Sequence, residues 1–193
     1  EAPFPRLCLM TFFRDVLASF LEKYPGEVIG TYVSEMAKFA CYRLRYQETE
    51  ICMIQAVVGS ASIAMMSDWL FTKGVEILLC CGSCGVLADI PAGDIIVPVR
   101  ALRDEGASYK YLPPERYIDL HKKPVQIFRQ VLEEHDIPYR ECTTWSTDAF
   151  YRETKEMVSH RIGQGCQAVE MECSAMAAVA RFRHKTFGQL LYS

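Results

Sequence analysis

Basic side chains are few and scattered in this sequence. Its 193 residues include 21 Lys and Arg against 24 Asp and Glu, which gives a formal net charge of −3, and Lys122 and Lys123 form the largest basic cluster. A nucleic-acid-binding face needs a patch of Lys and Arg that neutralises phosphates. We therefore expect no nucleic-acid partner.

Long apolar runs are absent as well. No stretch approaches the roughly 20 apolar residues that cross a bilayer, and the first residues, EAPFPRLCLMTFF, lack the basic start and unbroken apolar run of a signal peptide. The nine cysteines are an odd number and lie mostly within apolar runs, which fits free thiols in a reducing compartment better than a disulfide framework. We expect a soluble, cytoplasmic protein that does not bind membranes.

The sequence also lacks the spacing of a metal, redox or nucleotide-phosphate motif. Residues 80–85 read CCGSCG, but no second Cys-x-x-Cys pair and no paired histidines accompany them, and no Lys-Ser or Lys-Thr completes a Walker loop. We expect neither a metal nor a cofactor. Two interpretations of CCGSCG remain: a turn whose backbone N–H groups and Ser83 hydroxyl hold an anion, or a turn whose glycines only provide positive φ.

What the sequence does contain is an alternation of strand-length apolar segments with segments of helical periodicity. Such alternation is typical of α/β folds. We predict a single domain over residues 1–193, with a mixed, mostly parallel central β-sheet flanked by helices. The main strand candidates are 6–12, 75–81, 93–102, 138–145, 166–171 and 187–193.

Two local predictions are sharper. Residues 38–46 and 50–58 are joined by a short polar turn and predict an antiparallel hairpin at a sheet edge. Residues 60–74 predict a helix with Ser60 as its N-cap and Gly74 as its stop.

Three segments follow strand ends, where parallel sheets bind their ligands. Arg103 opens RDEGASYKY, Asp148 and Phe150 lie in TTWSTDAFYRET, and Glu170 and Glu172 flank the methionine of VEMEC. Each segment has a structural alternative: a surface ion pair, a core aromatic, or carboxylates favoured by a helix N-terminus. As ligand groups, an aromatic face can stack on a planar ring, and a glutamate can accept from both hydroxyls of a sugar diol.

These motifs occur in a familiar order. GSCG after a buried strand, then GDIIVP, RDEGASYKYLPP, STDAFY and VEMECSAM, resemble segments of the nucleoside phosphorylase family. That family includes uridine phosphorylase, hexameric purine nucleoside phosphorylase and the methylthioadenosine/adenosylhomocysteine nucleosidases. The resemblance covers residues 75–193.

The resemblance implies cleavage of an N-glycosidic bond in a nucleoside, with phosphate as the acceptor in most members. Glu172 matches the residue that holds the ribose 2′- and 3′-hydroxyls, Glu170 lies close to base and sugar, and Phe150 matches the aromatic that stacks on the base. The catalytic residues are then Glu170 and Glu172, and the substrate-binding residues are Gly82, Ser83, Arg103, Asp148, Phe150 and Met171. Carboxylates suit this chemistry because the ribose becomes oxocarbenium-like in the transition state.

Three positions depart from the family pattern. Family phosphorylases carry a phosphate-binding arginine two residues before Gly-Ser, where this chain has Cys80, and a neutral thiol does not replace a guanidinium. Arg14 is the nearest counterpart of the arginine in the family's Gly-Asp-Pro loop, and Arg103 or an arginine of a neighbouring subunit are the other candidates for the anion. The sequence ends at Ser193, before the family's purine-protonating aspartate, so we expect the C-terminal part of the fold to be lacking and name no general acid.

The leading hypothesis is a nucleoside phosphorylase that converts uridine or a purine nucleoside to free base and ribose 1-phosphate. A hydrolytic nucleosidase of the methylthioadenosine/adenosylhomocysteine type is the alternative, since that branch also lacks the arginine and uses water. A non-catalytic nucleoside-binding or storage protein is the third. The resemblance further implies nucleoside and phosphate as ligands and a homo-oligomer, as a dimer, a trimer of dimers or a hexamer.

Overall fold

The computed structural model describes residues 3–193. The strands are β1 (Leu7–Thr11), β2 (Glu27–Val33), β3 (Lys38–Tyr46), β4 (Thr49–Gln55), β5 (Ile77–Ser83), β6 (Gly85–Val86), β7 (Ile95–Asp104), β8 (Tyr117–Asp119), β9 (Tyr139–Thr147), β10 (Cys166–Glu170) and β11 (Thr186–Tyr192). The α-helices are α1 (Arg14–Lys23), α2 (Ser60–Thr72), α3 (Lys122–Glu134), α4 (Lys155–Gly163) and α5 (Cys173–Phe182).

All these strands form one mixed sheet with the order β2-β3-β4-β1-β5-β11-β7-β9-β10-β6, and β8 pairs with β7 beside this path. Parallel pairs join β4, β1, β5 and β11 in one block and β7, β9 and β10 in a second. The α/β fold with a mixed sheet is confirmed. Five of the ten pairings described are parallel and five are antiparallel, and the longest pairings, β7 with β9 and β11 with β5, are parallel.

The predicted hairpin is confirmed as β3 and β4, which pair from Cys41–Ile54 to Tyr46–Thr49. It is not the edge of the sheet, because β2 pairs outside β3. Val28 and Val33 of β2 are 57% and 61% exposed, so its apolar side chains do not separate into a buried and a solvent face. The β-branched run EVIGTYV was the available signal for this strand.

The N-cap of helix α2 lies one residue before the position that the sequence indicates. Gly59, with φ of +94°, is the N-cap, and the Ser60 hydroxyl donates to Asp148 instead of capping the helix. The prediction of Ser60 as N-cap was therefore wrong. The stop is confirmed: the helix ends at Thr72 and Gly74 follows with φ of +112°, a left-handed conformation that favours glycine.

The main core lies between the sheet and the packed helices α2 and α5. Every residue of α5 from Cys173 to Ala180 is buried, and most of these side chains are small. Small side chains let the helix approach α2 and the sheet closely. This packing fixes the N-terminus of α5 directly after β10, where Glu170 and Glu172 lie. No helix within residues 3–193 is both long and apolar enough to span a membrane.

Candidate functional site

An open cavity of about 320 Å³ lies where the carboxyl ends of several parallel strands meet. Its lining consists of Phe12, Val58, Ser83, Cys84, Gly85, Phe150, Glu153, Val169, Glu170, Met171, Glu172 and Gln189. This is the edge at which parallel sheets bind ligands, and it brings together five of the eight predicted site residues. A larger cavity of about 450 Å³ beside α3 contains none of them.

Glu170 is buried, and protein donors use its carboxylate fully. One oxygen accepts from the hydroxyls of Ser146 (2.6 Å) and Thr144 (3.3 Å). The other accepts from the backbone N–H groups of Glu172 (2.7 Å) and Cys173 (2.6 Å). A carboxylate has about four lone-pair positions. Glu170 therefore has little capacity left for a ligand and instead satisfies free N–H groups at the start of α5.

Glu172 is differently placed. It is only 7% exposed, and one carboxylate oxygen accepts from Gly59 N–H at 2.6 Å while the other accepts from Met171 N–H at 3.2 Å. Two donors from residues 3–193 leave about two acceptor positions on a side chain that lines the cavity. Burial raises the pKa of Glu172 to about 7, and the charges of Glu170 and Asp148 act in the same direction.

Phe150 and Met171 lie at the cavity with Glu172. Phe150 belongs to a short 3-10 turn after β9 and is 51% exposed, which places its ring at the rim. Tyr151 stacks on it with ring centroids 4.2 Å apart but is 90% exposed and does not line the cavity. Phe150 thus offers a partly open aromatic face that a planar ring can cover.

The CCGSCG turn contributes Ser83, Cys84 and Gly85 to the lining. Gly82 lies one step away: a Cβ there would be 2.8 Å from the Phe12 ring, so only glycine permits this packing. Burial raises the pKa of Cys84 to about 12, and burial also raises that of Cys80. Both thiols are neutral near pH 7, which argues against a redox role for this turn.

Asp148 does not line the cavity. Its carboxylate accepts from the Ser60 hydroxyl and, at 2.8 Å, from Gly106 N–H. It thereby joins the start of α2 to the loop after β7. Ser60 follows Gly59, whose backbone N–H donates to Glu172. Asp148 therefore helps to position a donor to Glu172 and does not contact the cavity itself.

Arg103 also lies away from the cavity. It is 1% exposed, and its guanidinium donates to the Ser108 hydroxyl at 2.9 Å and to the carbonyls of Pro113 and Leu112. The Tyr109 ring stacks beside it at 4.3 Å. The prediction that Arg103 meets the anion was therefore wrong, because its donors hold the irregular segment that follows β7.

The described lining of the cavity is acidic. Among the described residues that line the cavity, three are glutamates and none is Lys, Arg or His. Arg14 is exposed at the first position of α1 and is not part of the lining. Neither Arg14 nor Arg103 is among the residues that line this cavity.

Several residues of the site were missed from the sequence, and three of them bear directly on its geometry. Phe12 and Gln189 line the cavity, and Gly59 fixes Glu172 through its N–H. The usable signal was Gln189, because a lone amide in the apolar strand TFGQLLY is unusual for a buried position. Gly59 carried no signal, since its role depends on a contact between α2 and the β10–α5 junction.

Comparison with known proteins settles the family. A model described as the phosphorylase superfamily matches residues 6–192. The chain belongs to the phosphorylase superfamily. The resemblance to nucleoside phosphorylases that the motifs carry is confirmed, and it extends through the N-terminal strands as well.

Curated relatives of this superfamily member are similar at low identity. The chain is 29% identical over 150 residues to guanosine phosphorylase of Halorubrum lacusprofundi, covering 77% of this chain and 62% of that protein. It is 27% identical over 131 residues to a DeoD-type purine nucleoside phosphorylase of Brevibacillus brevis, covering 64% and 54%. The chain thus spans a little over half the length of these relatives.

Solved structures of the superfamily share the fold. Uridine phosphorylase from Vibrio fischeri superposes with a TM-score of 0.85 at 23% identity, over 98% of this chain and 79% of that one. AMP nucleosidase from Bacteroides thetaiotaomicron gives a TM-score of 0.82 at 23% identity, over 98% and 78%. At these identities the likeness establishes the architecture and leaves the substrate to the site.

Proposed function

We propose that this chain binds a nucleoside in the 320 Å³ cavity and cleaves its N-glycosidic bond with phosphate, releasing free base and ribose 1-phosphate. The observation that carries the proposal is Glu172, a buried carboxylate that is fixed by two backbone N–H groups and keeps acceptor positions for a diol. In this proposal Glu172 accepts from the ribose 2′- and 3′-hydroxyls, Met171 packs on the sugar, and Phe150 stacks on the base.

The chemistry follows from charge. As the glycosidic bond breaks, the ribose becomes cationic, so a fixed carboxylate beside it stabilises the transition state more than the neutral substrate. Glu170 assists by orienting the backbone at the start of α5, since it binds the N–H of Glu172 itself. Ser83, at the end of β5, offers a hydroxyl to the acceptor.

Phosphate as acceptor is supported by the names of the curated relatives, guanosine phosphorylase and purine nucleoside phosphorylase. These names also favour a purine nucleoside over uridine as the substrate. No metal or organic cofactor enters the proposal.

Hydrolysis is the second candidate, and a specific observation favours it. Three glutamates and no cation line the cavity in the described residues, and Cys80 is a neutral thiol. A phosphate dianion is poorly accommodated beside these carboxylates unless a cation comes from elsewhere. Water is neutral and needs no such cation. We propose homo-oligomer formation as one source of that cation, through an arginine of a neighbouring copy.

The test is release of free base from guanosine, inosine, uridine and methylthioadenosine, with and without phosphate. Phosphate-dependent release with ribose 1-phosphate as product supports phosphorolysis, and release that ignores phosphate supports hydrolysis. Glu172→Ala is expected to reduce the rate about 10²–10³-fold. Glu134→Ala, an exposed carboxylate at the end of α3, is the matched control and is expected to change little.

No release from any of the four nucleosides would contradict the enzymatic proposal. Nucleoside binding without turnover, lost in Glu172→Ala, would then favour the binding or storage alternative. An unchanged rate in Glu172→Ala would remove the ribose role from this carboxylate.

A further inference from the structure

Gln189 is a buried amide without a hydrogen-bond partner in the part of the chain that the structure describes. It lies in the middle of β11, is 1% exposed, and lines the cavity together with Glu170, Met171 and Glu172. Neither its Nε2 nor its Oε1 has a hydrogen-bond partner within residues 3–193. Buried side-chain amides are almost always hydrogen-bonded, and an unpaired one destabilises the folded state. An apolar residue would suit this strand position better unless the amide serves a ligand.

The surroundings indicate what that ligand group is. Gln189 is in register with Cys80 on the adjacent parallel strand, so the two side chains share one face of the sheet. Burial is the largest cause of the raised pKa of Cys80, followed by the charge of Cys81. The charges of Glu172 and Glu170 also raise it, so both glutamates lie near Cys80. The amide therefore belongs to the same floor of the cavity as the two glutamates.

Gln189 is the only side chain of the described lining that carries N–H donors. Glutamates offer only acceptors when ionised, and Ser83 offers a single hydroxyl. A ligand oxygen that seeks an N–H donor at the cavity floor has Gln189 Nε2 available, while Oε1 can accept from an O–H on the same ligand. The half-exposed Phe150 ring lies at the rim of the cavity. If the base stacks on this ring, the cavity floor is available to the acceptor, which attacks the opposite face of the sugar.

We infer that Gln189 binds the acceptor of the glycosyl group, with Nε2 donating to an oxygen of phosphate or water and Oε1 accepting from its O–H. This inference rests on the proposed cleavage of a nucleoside in the same cavity. It assigns to the acceptor a neutral amide, which both donates and accepts, in a cavity whose described lining contains no cation.

The variant that tests it is Gln189→Leu, which removes the amide and keeps much of the volume. Leu190→Met, on the next residue of the strand, is the control. We expect Gln189→Leu to melt at the same temperature as the wild type or roughly 2–4 °C higher, since an unpaired buried amide is gone. In phosphorolysis the KM for phosphate should rise about tenfold while the nucleoside KM stays within about twofold. In hydrolysis kcat should fall about tenfold with the nucleoside KM unchanged.

Any of four results would overturn the inference. A raised nucleoside KM with unchanged acceptor parameters would show that the amide reads the base or sugar, and unchanged kinetics would show no role. A lowered melting temperature that accompanies the loss of activity would indicate a structural role. If the wild type cleaves no nucleoside, the proposed function fails separately, and the inference is then tested by phosphate binding alone. A phosphate-induced rise in melting temperature that disappears in Gln189→Leu supports the inference. The absence of such a rise in the wild type overturns it.

Discussion

Glu172 is expected to change its charge near neutral pH, and stability and activity should respond in opposite directions. Burial, followed by the charges of Glu170 and Asp148, raises the pKa of its carboxyl from 4.5 to about 7, although two backbone N–H groups oppose the rise. In the unfolded chain the same carboxyl titrates at its ordinary value. Between pH 4.5 and 7 the folded protein therefore holds a proton that the unfolded chain has released.

The magnitude follows from this difference. The contribution of Glu172 to stability is complete below pH 4.5 and is lost as the pH rises through about 7. A pKa difference of this size corresponds to about 3 kcal/mol. Catalysis has the opposite requirement, because only the ionised carboxylate stabilises a cationic ribose. We expect kcat/KM to rise with pH through about 7 while the free energy of unfolding contributed by this group falls.

The assay is urea unfolding of the wild type and Glu172→Gln from pH 5 to 8, with kcat/KM measured for the wild type over the same range. The glutamine stays neutral, so the wild type should lose about 2.5 kcal/mol relative to the variant between pH 5 and 8. Parallel stability curves, or activity that is highest at pH 5, would refute the reasoning.

Two further predictions concern residues that sequence reasoning placed together in the substrate site. Arg103→Lys should lower the free energy of unfolding, measured in urea, by about 2–4 kcal/mol, because several buried acceptors lose their guanidinium donors. The exposed control Arg100→Lys should change it little. Equal stability of the two variants would contradict this prediction. Phe150→Ala should raise the nucleoside KM by roughly 5–100-fold in steady-state kinetics if its ring stacks on the base, whereas Tyr151→Ala should leave it within about twofold. A larger effect at Tyr151 would move the stacking face.

The fold was predictable where burial repeats along the chain. Periodic apolar segments identified the parallel strands and helix α2. The end of that helix was predictable because a position with positive φ favours glycine, and Gly74 is visible in the sequence. Strand β2 escaped because both of its faces are partly exposed, so its apolar residues show no alternation. The N-cap of α2 was misassigned because Ser60 is used by a distant carboxylate, Asp148, which no local pattern reveals.

The site was predictable only in part, for a similar reason. Ser83 ends β5, and Phe150 and Glu172 follow β9 and β10. The carboxyl ends of parallel strands converge whatever their side chains are. Arg103 follows the same rule in sequence, but its side chain turns into its own loop, where three acceptors hold it. Gln189 lies within a strand rather than after one, so its importance depends on knowing that no group within residues 3–193 pairs with its amide.

The two glutamates of VEME have unequal roles because the chain changes from strand to helix between them. Glu170 ends β10 and uses four protein donors, which keeps its charge within the structure, whereas Glu172 is the N-cap residue of α5 and directs its carboxylate to the cavity. The charge that a ligand meets is then mainly that of Glu172. A cationic sugar gains from this charge directly, while an anionic acceptor needs a compensating cation from outside the described lining. The acceptor specificity of this chain therefore depends on whether such a cation is supplied, and the phosphate dependence of base release measures that supply.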